Sequence, residues 1–352
     1  MTKLLFVTQQ VDPAHPTLGA AAAMVRALAE RVDEVVVLAA AAAVETLPAN
    51  VRFHRFAAPA QLLRGARFEA ALVREVLRGR PTALLAHMSP IYAVLAAPLL
   101  RPLRVPLMLW YTQQGSGALL QRAERVVDAI LTVDPLTVPV RSRKVRAIGH
   151  GIDTDAFRCG EPAARDGRLR LLALGRYADV KGHDFALRGL RRLLDDGVDA
   201  ELTVRGEEAT PTDAAVRARL VTLADELSLG GRAHLLDALP RTAVPALLTN
   251  ADVLVNATHG AAADKVVFEA AACCVPPVAA SPAFAALLPD ALRFEDGDHS
   301  SLAAAVRAAA ALPPEARRQL RQRVEASHSV GHWADAVLAS AAAVTQSRLS
   351  SA

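Results

Sequence analysis

Two cations, Arg176 and Lys181, stand in the segment Gly175-Arg176-Tyr177-Ala178-Asp179-Val180-Lys181-Gly182. The apolar run Leu169 to Leu174 precedes it and an amphipathic run from His183 to Leu194 follows. That order reads as strand, short basic loop, helix. Arginine can fork onto two phosphate oxygens, while lysine acts as a compact point charge. In an open α/β sheet, ligands bind beyond the carboxyl ends of strands. Helix N-termini there also favour anions, because their free N–H groups point outward. The segment therefore suits a diphosphate. Two exposed loop cations would look the same locally; the bracketing glycines and the strand end favour binding.

A second element, Asp264-Lys265-Val266-Val267-Phe268-Glu269-Ala270, opens another helix. Glu269 lies amid apolar residues, and a carboxylate on a buried face needs a partner. A ribose diol is one candidate and a salt bridge to a nearby arginine is the other. Asp264 reads as an N-cap. Lys265 and the N–H groups behind it, that of Val266 included, can meet a phosphate or a sugar.

Weaker signals lie earlier. Gly19 follows the first strand and opens a helix with Ala20, Ala21 and Ala22, like a degenerate glycine turn. The G-x-G-x-x-G of a dinucleotide dehydrogenase is absent. His87 and Gln113 each follow an apolar run, so both stand at strand ends. His87 can serve as a base or a sugar contact, or simply as a hydrogen-bonded structural histidine. His150 lies in the glycine-rich turn Gly149 to Phe157, which can also be a rigid interdomain hinge.

These residues need a scaffold. Strand-like runs fall near 3–8, 34–39, 51–56, 82–86, 105–111 and 129–133, with helical patterns at 19–31, 60–79, 90–100 and 117–126 between them. A second series has strands near 169–174, 200–205, 232–236, 251–256, 276–280 and 291–294. Its helical patterns fall at 183–196, 212–228, 241–249 and 264–274. Strands alternating with helices argue for parallel sheets, and two series argue for two Rossmann-like domains. The polar stretch from Cys159 to Gly167 reads as the linker. Beyond residue 299 the chain reads as helical.

At 352 residues with 52% hydrophobic and 22% charged content, the chain can fill two cores and is not disordered. Richness in alanine and arginine with little lysine reads as the coding bias of a GC-rich, bacterial genome. No apolar run reaches the roughly 18 residues of a membrane span. The N-terminus opens directly on a strand pattern without the layout of a signal peptide. Three cysteines without metal-ligand spacing suit a reduced, cytoplasmic setting, and Cys273 and Cys274 read as small hydrophobes. The net charge of +4 is uneven. Residues 1–157 hold 18 basic and 12 acidic residues, a balance of +6. The basic residues do not alternate with aromatics, so no nucleic-acid partner is expected. Ordinary solvated arginines account for the excess. Peripheral membrane contact through the helix near 60–79, with Arg64, Arg67, Arg74, Arg78 and Arg80, is the other reading.

Four motifs, in order, resemble those of retaining GT-B glycosyltransferases, in particular glycosyltransferase family 4. Gly149 to Phe157 is similar to the family's N-G-V-D-x-x-x-F turn, and Gly175 to Gly182 to its G-R-x-x-x-x-K-G loop. Leu202-Thr203-Val204-Arg205-Gly206-Glu207 resembles its strand ending in a glycine turn. Asp264 to Pro277 resembles its E-A-x-A-C-G-x-P-V helix and strand. The match covers most of the C-terminal half; the N-terminal half matches in rhythm and through Leu109-Trp110-Tyr111-Thr112.

The resemblance implies a GT-B architecture, two Rossmann-like domains with a cleft between them. Residues 1–157 would form an acceptor-binding domain, 158–330 a nucleotide-sugar-binding domain, and 331–352 a helix crossing back near His332 and Trp333. It implies transfer of a sugar from a nucleoside diphosphate donor to a hydroxyl acceptor, with retention and with no metal or cofactor. Arg176 and Lys181 would hold the diphosphate and Glu269 the ribose. Gly175, Arg205, Gly206, Asp264, Lys265 and Val266 would line the donor site. Gly19, His87, Gln113 and His150 would meet the acceptor or sugar. Two positions depart from the pattern: Ala261 stands where the family often has a glutamate, and Gln113 where it has a histidine. Gln113 can donate a hydrogen bond but cannot exchange a proton near neutral pH. A non-catalytic GT-B binding subunit and a sugar-nucleotide epimerase are the alternatives.

Overall fold

The computed structural model describes residues 2–113, 115, 117–160 and 167–350, so the expected linker residues 161–166 lie outside it. The chain forms two compact units. Met1–Asp153 joins Ser327–Ala352 in the first, and Thr154–Ala326 makes the second. The sequence placed these boundaries a few residues later, after 157 and after 330.

In the first unit the elements run β1 (Lys3–Val11), α1 (Ala20–Ala29), β2 (Glu34–Ala42), β3 (Val51–Arg55), α2 (Gln61–Arg78) and β4 (Ala83–His87). They continue with α3 (Pro90–Leu100), β5 (Leu107–Trp110), α4 (Ala118–Val126), β6 (Ala129–Thr132) and β7 (Val145–Ala147). In the second unit they run β8 (Leu169–Leu174), α5 (His183–Asp195), β9 (Ala200–Gly206), α6 (Pro211–Glu226), β10 (Ala233–Asp237) and α7 (Val244–Thr249). Then follow β11 (Val253–Asn256), α8 (Lys265–Ala272), β12 (Pro277–Ala279) and α9 (His299–Ala310). Helices α10 (Pro314–His328) and α11 (Val330–Ser350) end the chain.

Every strand pair is parallel. The first sheet has the order β3-β2-β1-β4-β5-β6-β7 and the second β10-β9-β8-β11-β12. Strands β4, β5 and β6 are buried along their whole length. Parallel strands covered by helices on both faces need such unbroken apolar runs. In each sheet the chain winds one way and then the other. The order reverses between β1 and β4 in the first unit and between β8 and β11 in the second. Loops leaving adjacent strands in opposite directions open a crevice at that point.

Three expectations change. The strand expected at 291–294 is a 3-10 turn at Asp290–Leu292, followed by one bridge between Arg293 and Ala279. Pro289, which has no N–H to give a ladder, sits at its start. Strand β7, with Arg146 at its centre, lacked an apolar signature and was not anticipated. Cys274 does not pack as a small hydrophobe: it is disulfide-bonded to Cys159, with the two Cα atoms 5.0 Å apart. The reduced state expected for all three cysteines therefore gives way. Cys273 stays buried and free, its thiol pushed up to about 12 by burial and by the charge of Glu269.

Helix α11 is an integral part of the first unit. Trp333 is fully buried, its ring edge-on to Trp110 at 5.8 Å. Arg31 pairs with Asp335 at 2.7 Å and Arg348 pairs with Asp128. Ile152 exchanges backbone hydrogen bonds of 2.7 Å with His328 and Val330, which fastens the Gly149–Phe157 turn to the start of the helix. Trp333→Ala removes the largest side chain of this contact and should cost about 3–5 kcal/mol. Denaturant unfolding of the variant measures it; a loss below about 1 kcal/mol would mean that α11 is not part of this core.

Candidate functional site

The reversal of strand order between β8 and β11 brings two loops together in the second unit. One follows β8 and carries Arg176 and Lys181. The other follows β11, spans residues 257–264 and leads into α8. His259 N–H donates to the Val180 carbonyl at 2.9 Å, joining the loops through their backbones. Gly182 ends the first loop in a left-handed conformation, φ +61°, and starts α5. A Cβ at this position would stand 2.2 Å from the Ala257 carbonyl oxygen, so both its φ and this approach require glycine. Gly206, at the end of β9, backs the same loop: a Cβ there would stand 2.2 Å from the Gly175 carbonyl oxygen.

The side chains meet as well. Lys181 Nζ lies 2.7 and 2.8 Å from the two carboxylate oxygens of Asp264. Asp264 Oδ2 also accepts from Thr258 Oγ1 at 2.5 Å and Asn256 Nδ2 at 2.9 Å. Burial raises the Asp264 pKa, but Lys181 and these two donors outweigh it and hold the carboxyl below its usual range. Asp264 stands at the N-cap position of α8, yet its side chain makes no cap hydrogen bond. The N-cap reading holds for position but not for the side chain: both carboxylate oxygens are turned to the Lys181 ammonium, and Asn256 and Thr258 add two further donors.

Glu269 is 2% exposed and is gripped by both terminal nitrogens of Arg241, with Nη1 to Oε2 at 3.2 Å. Of the two partners open to this carboxylate, the arginine is the one seen. Arg241 lies in the 3-10 turn Arg241–Ala243 after β10, with its guanidinium 5.1 Å from the centre of the Phe157 ring. The sequence did not single it out, although it too follows the carboxyl end of a strand. Lys265, at the first turn of α8, is half-buried. Burial pushes its pKa down to about 7, against the pull of Glu269. Val266 follows it in the same turn.

Arg176 is half exposed, with its Nε 3.9 Å from Asp213. Arg205 donates to the Asp237 carbonyl at 3.0 Å and is turned to the sheet edge instead of joining Lys181. His183, also not singled out, is buried, with Nε2 3.2 Å from the Gly175 carbonyl and 3.3 Å from that of Arg176. Burial lowers its pKa below the ordinary value. It braces the loop from behind, as does Tyr177, whose hydroxyl donates to the Leu236 carbonyl at 2.8 Å.

In the first unit, His87 ends β4 and pairs through Nδ1 with Thr8 of β1 at 3.0 Å, across the reversal of that sheet. Its ring stacks on Phe6 at 5.5 Å. Gly19 is buried in a helical conformation, φ −57°, so it does not use the freedom of a glycine turn. Gln113 is exposed just beyond β5, and His150 is buried 6.3 Å from Trp110.

Removing one partner of a buried ion pair strands the other and costs about 3–5 kcal/mol. Arg241→Leu should lower the stability of the second unit by that amount, and the double variant with Glu269→Leu should recover most of it. A double-mutant cycle in urea measures this coupling; additive losses would contradict a tight pair.

Residues 160–326 match the family model of glycosyl transferases group 1. The D-inositol 3-phosphate glycosyltransferase of Mycobacterium leprae is 27% identical over 201 residues, 55% of this chain. That match spans only 40% of the relative's own length. Sucrose-phosphate synthase from Thermosynechococcus elongatus superposes with a TM-score of 0.77 at 16% identity, covering 100% of both chains. HepE of Anabaena, solved with UDP and glucose, gives 0.74 at 16% identity over 96% of this chain and 98% of its own. These likenesses show a shared fold: two parallel α/β sheets in the GT-B manner. Residues 160–326 are thus similar to the glycosyl transferases group 1 family, and the two parallel α/β sheets share the GT-B fold of these solved structures.

Proposed function

We propose that the protein transfers a sugar from a nucleoside diphosphate donor to a hydroxyl acceptor, with retention of anomeric configuration and without a metal ion. The observation that carries this reading is the meeting of Lys181 with the N-terminus of α8 at the sheet's reversal point. The solved HepE complex with UDP and glucose supports a nucleotide sugar as the donor.

Glycosyl transfer passes through an oxocarbenium-like transition state while negative charge builds on the departing diphosphate. Lys181, Arg176, Lys265 and the free N–H groups of α8 would receive that charge. An ammonium has three donors, and Asp264 uses at most two of them. Asp264 therefore fixes the Lys181 head in place and leaves it able to bind a phosphate oxygen. A carboxylate offers about four lone-pair sites, of which the Arg241 fork takes two. Glu269 thus keeps acceptor capacity for ribose hydroxyls, and Arg241 sets its orientation. Gly175, Gly206 and Val266 would shape the rest of the donor site, whereas Arg205, held at the sheet edge by the Asp237 carbonyl, stays outside it. No side chain of the second unit is assigned as a nucleophile; the leaving phosphate would take the acceptor proton. His87, Gln113, His150 and the turn at Gly19 are assigned to the acceptor or the transferred sugar.

Removing one group aimed at developing charge costs about 10²–10³ in rate. Lys181→Ala should lower turnover by that order, read as donor consumption with UDP-, GDP-, ADP- and dTDP-sugars. A melting curve verifies that the variant is folded. Unchanged turnover in a folded variant would refute the role, and product formation without any acceptor would indicate an epimerase.

A further inference from the structure

We propose that the outer face of α2 is a docking surface for an anionic phospholipid bilayer. This holds whether or not the second unit transfers a sugar.

Helix α2 buries Phe68 and Leu72 inward, and Glu75 is enclosed by Arg52, His54, Arg78 and Lys3. Its opposite face is open to solvent and mostly apolar, with Glu69 its one acidic residue. Leu62 is 91% exposed, Leu77 81%, Leu63 45% and Val73 42%. At 100° per residue Leu62, Ala66, Val73 and Leu77 fall on one stripe, with Ala70 and Leu63 along one edge and the exposed Glu69 along the other. A lone exposed leucine is ordinary; a contiguous stripe marks a contact surface.

Cations border the stripe. Arg67 and Arg74 line a cavity of about 500 Å³ together with His54 and Arg55. A neighbouring hollow of about 560 Å³ combines Arg74 and Arg78 with Val73 and Leu77. Several heads are held in place: Arg67 donates to the Ala57 carbonyl, Arg55 to that of Ala40 at 3.2 Å, and Arg78 to Glu75 at 3.2 Å. Residues 61–80 hold five arginines and two glutamates. Of the glutamates Glu75 is buried in its own ion-pair cluster, so Glu69 alone opposes the arginines at the surface.

Charge complementarity selects the occupant. Guanidinium forks fit phosphate oxygens. Leucines beside them suit the boundary between headgroups and acyl chains, the pattern of a helix lying in the interface plane. A nucleic acid would meet the arginines but leave the leucines in water. Among the described residues no helix is long and apolar enough to cross a membrane, so attachment of this kind is peripheral.

Sedimentation with vesicles tests it, using phosphatidylcholine alone and phosphatidylcholine mixed with phosphatidylglycerol, at low and high salt. The protein should pellet with the mixed vesicles at low salt and be released by high salt. Leu62→Gln with Leu77→Gln alters only exposed positions and should cut partitioning more than about tenfold. Arg67→Gln with Arg74→Gln should cut it roughly thirtyfold, from about fivefold per arginine. Circular dichroism verifies that both variants are folded. No pelleting with mixed vesicles, equal pelleting with neutral ones, or binding that survives both variants would overturn the proposal. A dimer in solution that dissociates in the leucine variant, without vesicle binding, would also overturn it and assign the stripe to a second copy of the chain.

Discussion

The contact between Lys181 and Asp264 is the constraint on which the candidate site depends. It joins two loops that leave adjacent strands at the point where the order of the second sheet reverses. A half-buried carboxylate in this place needs compensation, and Lys181, Thr258 and Asn256 supply it together. Their geometry in turn fixes where the ammonium sits relative to the first turn of α8. The close backbone approach of Gly182 to Ala257 is what lets the two loops come near enough for this pair to form, and that of Gly206 to Gly175 seats the first loop against β9. Arg241 and Glu269 repeat the logic one turn further along α8, with an arginine fork on a carboxylate that is almost wholly buried.

Much of the fold is legible in the sequence because parallel strands in a covered sheet must be apolar throughout. The runs Leu4 to Val7, Leu107 to Trp110 and Ala129 to Thr132 announce themselves for that reason. The short strand at Val145–Ala147 sits at the sheet edge, carries Arg146 and gives no such signal. Residues near 291–294 gave a false one: they have strand-like composition, but a proline and a turn permit only a single bridge.

The loop of Arg176 and Lys181 is legible for a different reason, the placing of charge between a strand end and a helix start. Which charge it meets is not, since Asp264 lies 83 residues away. Local chemistry favours a cap for an aspartate in that position, and only the sheet order shows that Lys181 competes for it. For Glu269 both partners, ribose and arginine, could be read in advance, but naming Arg241 requires knowing that the chain leaving β10 crosses to β11 through α7, which packs against α8. The disulfide between Cys159 and Cys274 is equally non-local, spanning 115 residues, and the apolar setting of Cys274 suggested packing instead.

The central claim is that the second unit is built to hold a nucleoside diphosphate through Lys181, Glu269 and the start of α8. A thermal-shift panel of UDP, GDP, ADP and dTDP tests it most directly. A ligand at 100 times its dissociation constant adds about 2.7 kcal/mol, enough to read as a raised melting temperature. The account predicts a shift with one of these nucleotides that is lost in Lys181→Ala and in Glu269→Ala. No shift with any of them, or a shift unchanged in both variants, would contradict it.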